Sequence, residues 1–218
     1  MSPRGRFITF EGLDGTGKST QIEKLAKALR GRGVPVVVTR EPGGTAAGET
    51  IRHIILDSAT SGLSPLAEMA LMFASRAQHI QEVIEPAMTE GKTVLCDRFT
   101  DSTEAYQGGG RRLGGETVLE LHRILCGDLR PDLTILLDSD VAASVERARR
   151  RNLKRSSRNE NRFEQESRNF FARVRSAYLA IARREPERVV VVDARGTPAA
   201  THAQIVDAVF RKLRLRAR

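Results

Sequence analysis

Residues 12–20 read Gly12-Leu13-Asp14-Gly15-Thr16-Gly17-Lys18-Ser19-Thr20, completing the pattern GxxxxGKS directly after an apolar run, 7–10. This is a P-loop, and it demands a strand before it and a helix after it. Phe7 to Phe10 have the look of a buried strand, and Ile22, Leu25, Ala26 and Leu29 recur at helical spacing. The glycines let the backbone curl so that successive N–H groups face phosphate oxygens. Lys18 adds a mobile positive charge, and the Ser19 hydroxyl can ligate magnesium. Such a segment handles nucleotide phosphates, but it does not say what receives them.

Around this loop the chain alternates short β-branched runs with helical patterns, which predicts an α/β protein with a parallel sheet covered on both sides. Strands are expected at 6–10, 35–39, 93–97, 133–138 and 189–193. Helices are expected at 18–32, 47–56, 65–90, 116–126, 141–151, 164–184 and 198–213. The polar stretch 152–161 has no apolar period and holds several arginines, so it reads as a mobile loop between two helices. At 218 residues the chain fits one domain, 1–218, large enough to bury a core without disulfides. Cys96 and Cys126 stand apart from any metal-ligand spacing and read as small core residues of a reducing compartment. The short start before the first strand leaves no room for a signal peptide, and no run of eighteen apolar residues follows. The expectation is a soluble, cytoplasmic protein without a membrane partner.

The net charge of +9 sits in one place: residues 147–188 hold 14 Lys or Arg against 5 Asp or Glu, and the remainder is neutral. A basic segment of this kind can grip a nucleic-acid backbone, cover a polyphosphate or form a solvated helix face. No aromatic residue interleaves with the arginines of 147–162, which argues against single-strand nucleic-acid binding.

In parallel sheets ligands sit beyond the carboxyl ends of the strands. Three expected strands end in charge there, at Arg40-Glu41, Asp97-Arg98 and Asp138. Asp97 follows Val94-Leu95-Cys96 and suits a magnesium-holding carboxylate opposite Ser19, although a strand-terminal Asp also serves as a helix cap. Arg98, directly after it, favours a second bound phosphate over water.

From Asp97 the chain runs Asp97-Arg98-Phe99-Thr100-Asp101-Ser102-Thr103-Glu104-Ala105-Tyr106-Gln107-Gly108. This resembles the DR[YF]xxSxxAYQG segment of the thymidylate kinases, bacterial type, within the P-loop nucleoside monophosphate kinases. Companion segments occur in the expected order: Thr39-Arg40-Glu41-Pro42-Gly43-Gly44-Thr45, then Leu71-Met72-Phe73-Ala74-Ser75-Arg76-Ala77-Gln78-His79, then Arg162-Phe163-Glu164-Gln165-Glu166. The resemblance spans nearly the whole chain. It implies a three-layer P-loop kinase fold with a central five-stranded parallel sheet and an arginine-rich lid at about 147–163. It also implies transfer of the ATP γ-phosphate to dTMP, giving dTDP on the way to dTTP, with magnesium as cofactor and a homodimer as the assembly. The alternatives are another nucleotide kinase, or a P-loop NTPase that uses its basic segment on nucleic acid.

The resemblance assigns ATP to the loop 12–20, magnesium to Ser19 and Asp97, and the acceptor to Glu41, Pro42, Phe73, Arg76, Arg98, Ser102, Tyr106 and Gln107. Phe73 and Arg76 lie three apart on one helical face, where a ring can stack on a pyrimidine while a guanidinium bonds its carbonyl edge. An apolar stripe with a surface charge is the plainer reading of the same pair. Ser102 and Gln107 fall near the base and Tyr106 near the deoxyribose, or Tyr106 simply packs. Asp14 is matched by a carboxylate facing the acceptor 3′-hydroxyl, though Asp is also a common turn residue. Lys18, Arg98, Asp14 and Arg151 form the expected catalytic set. In the family a lid delivers an arginine to the transferring group, particularly where the P-loop has none of its own. This P-loop has none, so the resemblance implies a lid arginine, with Arg149, Arg151, Arg155, Arg158 and Arg162 as candidates. Between Arg147 and Arg162 the chain is several residues longer than the usual bacterial lid, which leaves the choice among them open.

Overall fold

The computed structural model describes residues 4–60, 62–154 and 162–213. Five parallel strands form one sheet in the order β2-β3-β1-β4-β5: β1 Phe7–Glu11, β2 Val36–Arg40, β3 Thr93–Asp97, β4 Leu133–Asp138 and β5 Val189–Asp193. The central strand β1 is flanked by β3 and β4, with Phe10 opposite Asp97 and Glu11 opposite Leu136. The sheet agrees with the pattern-based expectation, except that β1 and β2 each lie one residue later. Their charged ends, Glu11 and Arg40, stay in the ladder.

Alternation along the strands feeds two apolar layers, as it must when both faces are covered. Ile8, Phe10, Leu95, Leu133, Ile135 and Leu137 pack on one side against helix α1 (Lys18–Arg30) and helix α9 (Pro198–Leu213). Phe7, Val94 and Cys96 face the other way, as does Leu136, which meets Phe170, Val174, Tyr178 and Ile181 of helix α8 (Arg168–Arg184). Thr9, buried in the middle of β1, is satisfied by Thr134 at 2.8 Å.

The remaining helices wall the strand ends: α2 Ala46–Leu56, α3 Pro65–His79, α4 Glu85–Thr89, α5 Thr100–Thr103, α6 Gly115–Cys126 and α7 Val141–Lys154. Ser64 caps α3 by accepting from the Ala67 N–H at 3.2 Å, and Pro65 starts it, where a missing N–H costs nothing. The single helix expected over 65–90 is interrupted by a wide π turn, Ile80–Ile84, just ahead of Pro86. A proline there removes one backbone donor, and a widened turn accommodates the loss. A second π turn, Glu104–Gly110, continues α5, so 100–110 is helical where no helix was expected. Helix α7 extends through Lys154, which shortens the expected loop at 152–161. Positions 155–161, Arg155 and Arg158 among them, lie outside the described residues, as does the side chain of Arg151.

Candidate active site

The P-loop turns between β1 and α1 on three glycines with positive φ: Gly12 at 125°, Gly15 at 81° and Gly17 at 95°. At Gly15 a Cβ would meet Ser144 O at 2.1 Å, so helix α7 rests directly on the loop. Arg147, also on α7, donates from Nε to Gly15 O at 2.7 Å. Gly17 precedes α1 without a side-chain cap, leaving the helix N–H groups directed at the loop's mouth, the usual seat of a phosphate. Thr16 Oγ1 donates to Leu13 O at 2.9 Å and braces the curl. Lys18 is folded back, its Nζ donating to Gly12 O (3.1 Å) and Leu13 O (3.0 Å). Burial, helped by the Arg98 charge and opposed by Asp14, pulls its ammonium down to about 8.

Ser19, beside the exposed Thr20 on the first turn of α1, donates to Asp97 Oδ2 at 3.0 Å; Asp97 Oδ1 is buried with no hydrogen-bond partner among the described residues. A hydroxyl and a half-satisfied carboxylate side by side suit magnesium, which takes one or two protein oxygens and completes its shell with phosphates and water. Among the described residues no cluster of three His, Cys, Asp or Glu side chains could hold a metal.

Arg98 leaves β3 with φ of 76°, a left-handed conformation rare for a long side chain. Its guanidinium is tethered on every side. Nη1 donates to Ser102 Oγ (3.0 Å) and Tyr178 OH (3.1 Å); Nη2 donates to Asp14 Oδ1 (2.8 Å) and Tyr106 OH (3.2 Å). Asp14 also lies 3.8 Å from Lys18 Nζ, so it bridges the two cations of the site. Arg98, Asp14, Ser102 and Tyr106 therefore form one cluster beside the P-loop. Ser102 finds its partners in Arg98, Tyr178 and Glu11.

A second cluster sits on α3. Arg76 is 2% exposed; Nε donates to Glu41 Oε2 at 2.7 Å, Nη2 to Thr103 Oγ1 at 2.9 Å, and Nη1 is buried without a hydrogen-bond partner among the described residues. Glu41 Oε1 meets His79 Nδ1 at 2.9 Å, and His79 Nε2 meets Thr39 Oγ1 at 2.6 Å. With both oxygens engaged, Glu41 is a support for Arg76. Burial raises its carboxyl, but the Arg76 and His79 contacts outweigh that and leave it below the usual value. Phe73 is fully buried against Met69 and Val118, with the Arg76 guanidinium 5.0 Å from its ring centroid. Its ring offers no exposed face for stacking, because core packing and that guanidinium cover it. Pro42 follows a cis peptide bond, and its carbonyl accepts from Arg52 Nη1 at 3.1 Å.

Gln107 donates from Nε2 to Glu68 Oε1 at 2.8 Å, while its Oε1 is buried and unpaired. Glu68, 0% exposed, also takes Arg111 Nε (3.1 Å) and Arg162 Nη2 (2.6 Å). Arg162 is thus a buried anchor at the far end of the basic stretch, with Nε on Ile55 O at 2.6 Å, and is not free to swing onto a phosphate. Other arginines of the basic segment are staples too: Arg175 holds Asp138, Arg184 holds Glu104 and Arg188 holds Asp101. Pattern reading missed Glu11, His79, Glu68 and Tyr178. The local signal at Glu11, Glu68 and Tyr178 was a charge or a ring inside an apolar run, and His79, between Gln78 and Ile80, had not even that.

A P-loop on the central strand of a parallel sheet, with a strand-end carboxylate facing its serine and two further arginine clusters alongside, defines a P-loop nucleotide-binding phosphotransfer protein. The family model described as thymidylate kinase matches residues 10–205. A thymidylate kinase of Pelobacter propionicus is 52% identical over 192 residues, 88% of either chain, and one of Geobacter sulfurreducens is 48% identical over 209 residues, 96% of this chain and 98% of that one. The crystal structure of thymidylate kinase from Ehrlichia chaffeensis superposes with a TM-score of 0.76 at 32% identity, covering 95% of this chain and all of the other. The chain belongs to the thymidylate kinase family.

Proposed function

We propose that this chain transfers the γ-phosphoryl group of ATP to dTMP, yielding ADP and dTDP for nucleotide biosynthesis. The observation that supports a 4-oxo pyrimidine such as thymine over cytosine is the orphan Nη1 of Arg76, a buried donor that calls for an acceptor atom such as the 4-carbonyl. Phe73 backs that guanidinium and Glu41 fixes its plane. Pro42 and Gln107, whose buried Oε1 has no partner among the described residues, complete the wall of the base pocket.

The donor phosphates belong in the loop of Gly12, Leu13, Asp14, Gly15, Thr16, Gly17, Lys18, Ser19 and Thr20, with Lys18 leaving its carbonyl partners to meet them. Ser19 and Asp97 would hold magnesium, which when bound neutralises donor phosphate charge. Arg98 clamps the acceptor phosphate, with Ser102 and Tyr106 steadying it, and Asp14 turns toward the acceptor sugar once phosphate replaces it on Arg98. The attacking phosphate oxygen is already anionic at neutral pH, so no general base is needed. A lid arginine, for which Arg151 is our choice, would stabilise charge at the transferring group, an effect of order 10³ or more in rate.

The protein is read as one domain, cytoplasmic, without a nucleic-acid partner; no described helix is long and apolar enough to cross a membrane. We further propose a homodimer, supported by large apolar side chains left exposed on two helices, Leu66 on α3 and Ile124 and Leu125 on α6. Sedimentation at micromolar concentration tests this, with a monomer counting against it. The acceptor reading is tested by calorimetry with dTMP and dCMP. An amino group in place of the 4-carbonyl faces a donor with a donor, so dCMP should bind more weakly by about 1–3 kcal/mol. Equal affinity refutes the role of Arg76.

A further inference from the structure

Glu11 closes β1 and is fully buried, and neither oxygen is idle. Oε1 accepts from the Phe99 N–H at 2.7 Å; Oε2 accepts from Ser102 Oγ at 2.5 Å and Tyr178 OH at 2.9 Å. All three donors surround Arg98. Phe99 is its neighbour in the chain, and Ser102 Oγ and Tyr178 OH are the two oxygens that receive its Nη1. The carboxylate therefore binds the backbone on one side of a left-handed residue and orients both acceptors of its guanidinium on the other. Left-handed backbone at a bulky residue persists only where its surroundings over-determine it.

We propose that Glu11, acting through Tyr178 and the Phe99 N–H, is a positioning residue that aims Arg98 at the acceptor phosphate. The inference rests on the reading of Arg98 as the acceptor-phosphate clamp. Tyr178 comes from α8, the helix that follows the arginine-rich segment, so the same hydroxyl ties that helix to the strand carrying the P-loop. Burial of Glu11, with Asp101 nearby, pushes its carboxyl up to about 7 despite the opposing pull of Arg98 and its hydrogen bonds. A purely structural occupant of the space could be a hydrocarbon side chain.

The test is a set of steady-state measurements on Glu11→Gln, Tyr178→Phe, Arg98→Ala and the parent. Glutamine keeps the shape but points an amide donor at Ser102 and Tyr178. Phenylalanine keeps the ring in its contact with Tyr106 and loses only the bridging hydroxyl. Should Glu11→Gln fail to fold, Tyr178→Phe still answers. The expected result is a rise in KM for dTMP of about tenfold with a fall in kcat, and a KM for ATP within about twofold of the parent, in line with loss of a charge-assisted contact. Parent-like kinetics in Tyr178→Phe, or parallel rises in both KM values, overturns the positioning role. If Arg98→Ala itself leaves the KM for dTMP unchanged, the clamp reading falls and this inference with it. If Arg98→Ala loses dTMP while Glu11→Gln and Tyr178→Phe do not, the inference alone fails.

Discussion

Replacing Arg76 with alanine should destabilise the protein far more than a surface arginine would, and with a pH dependence that can be worked out in advance. The guanidinium is 2% exposed, bonds Glu41 at 2.7 Å and Thr103 at 2.9 Å, and lies 5.0 and 5.1 Å from the ring centroids of Phe73 and Phe99. Removing one partner of a buried ion pair costs about 3–5 kcal/mol, because the other charge is stranded. Here the stranded group is Glu41, which is 4% exposed. In the parent, burial pushes the Glu41 carboxyl up, but Arg76 and His79 pull harder and leave it below 4.5. A carboxyl held below its unfolded value contributes stability that is present above about pH 4.5 and lost as pH falls through the folded value. Without Arg76 the burial effect prevails and the folded carboxyl rises above 4.5. The variant then loses stability as pH rises from that value. Urea unfolding of parent and variant at pH 5, 6, 7 and 8 should show a deficit near about 3–5 kcal/mol at pH 8 that shrinks by about 1 kcal/mol or more at pH 5. Adding Glu41→Gln should flatten the pH dependence. A deficit under about 1 kcal/mol, or one constant with pH, refutes the buried-pair account.

Three further outcomes follow from the same geometry. Gly15→Ala places a methyl 2.1 Å from Ser144 O at a φ of 81°, so it should weaken ATP far more than dTMP, with roughly 1–2 kcal/mol from the backbone conformation alone; an unchanged KM for ATP contradicts this. Because the Lys18 ammonium sits near about 8 in the nucleotide-free loop and bound phosphates favour its charged form, ATP binding at pH 8–9 should take up a proton and weaken as pH rises. Calorimetry in two buffers of different ionisation enthalpy reads that uptake directly, and identical heats rule it out. A double-mutant cycle on Glu68 and Arg162, paired at 2.6 Å, should return a coupling of about 0.5–3 kcal/mol, whereas additivity would mean that Arg162 is not the anchor described.

The P-loop was legible because all its parts are local: glycines, lysine and serine within nine residues, between a strand and a helix. The sheet was legible for a related reason, since its strands are short local runs rich in Val, Ile, Leu and Phe. What escaped depends on partners far away in the chain. Residues 100–110 have no amphipathic period and end in three glycines, the last two of which lie against α8: a Cβ at Gly109 would meet Ala177 Cβ at 2.7 Å, and one at Gly110 would meet Phe170 at 2.6 Å. The charge excess of 147–188 suggested a surface for anions, yet the acids that Arg162, Arg184 and Arg188 hold lie 94, 80 and 87 residues away. Glu41 reaches Arg76 across 35 residues and Glu11 reaches Phe99 across 88, so neither supporting role leaves a spacing to read.

The central claim is that this site phosphorylates dTMP. ADP release should therefore be followed with ATP and magnesium against equal concentrations of dTMP, dUMP, dCMP, dAMP and dGMP. Turnover well above all others with dTMP, and loss of turnover in Lys18→Ala with an intact thermal transition, is the predicted result. Activity that is flat across the five acceptors, or highest with a purine, contradicts it.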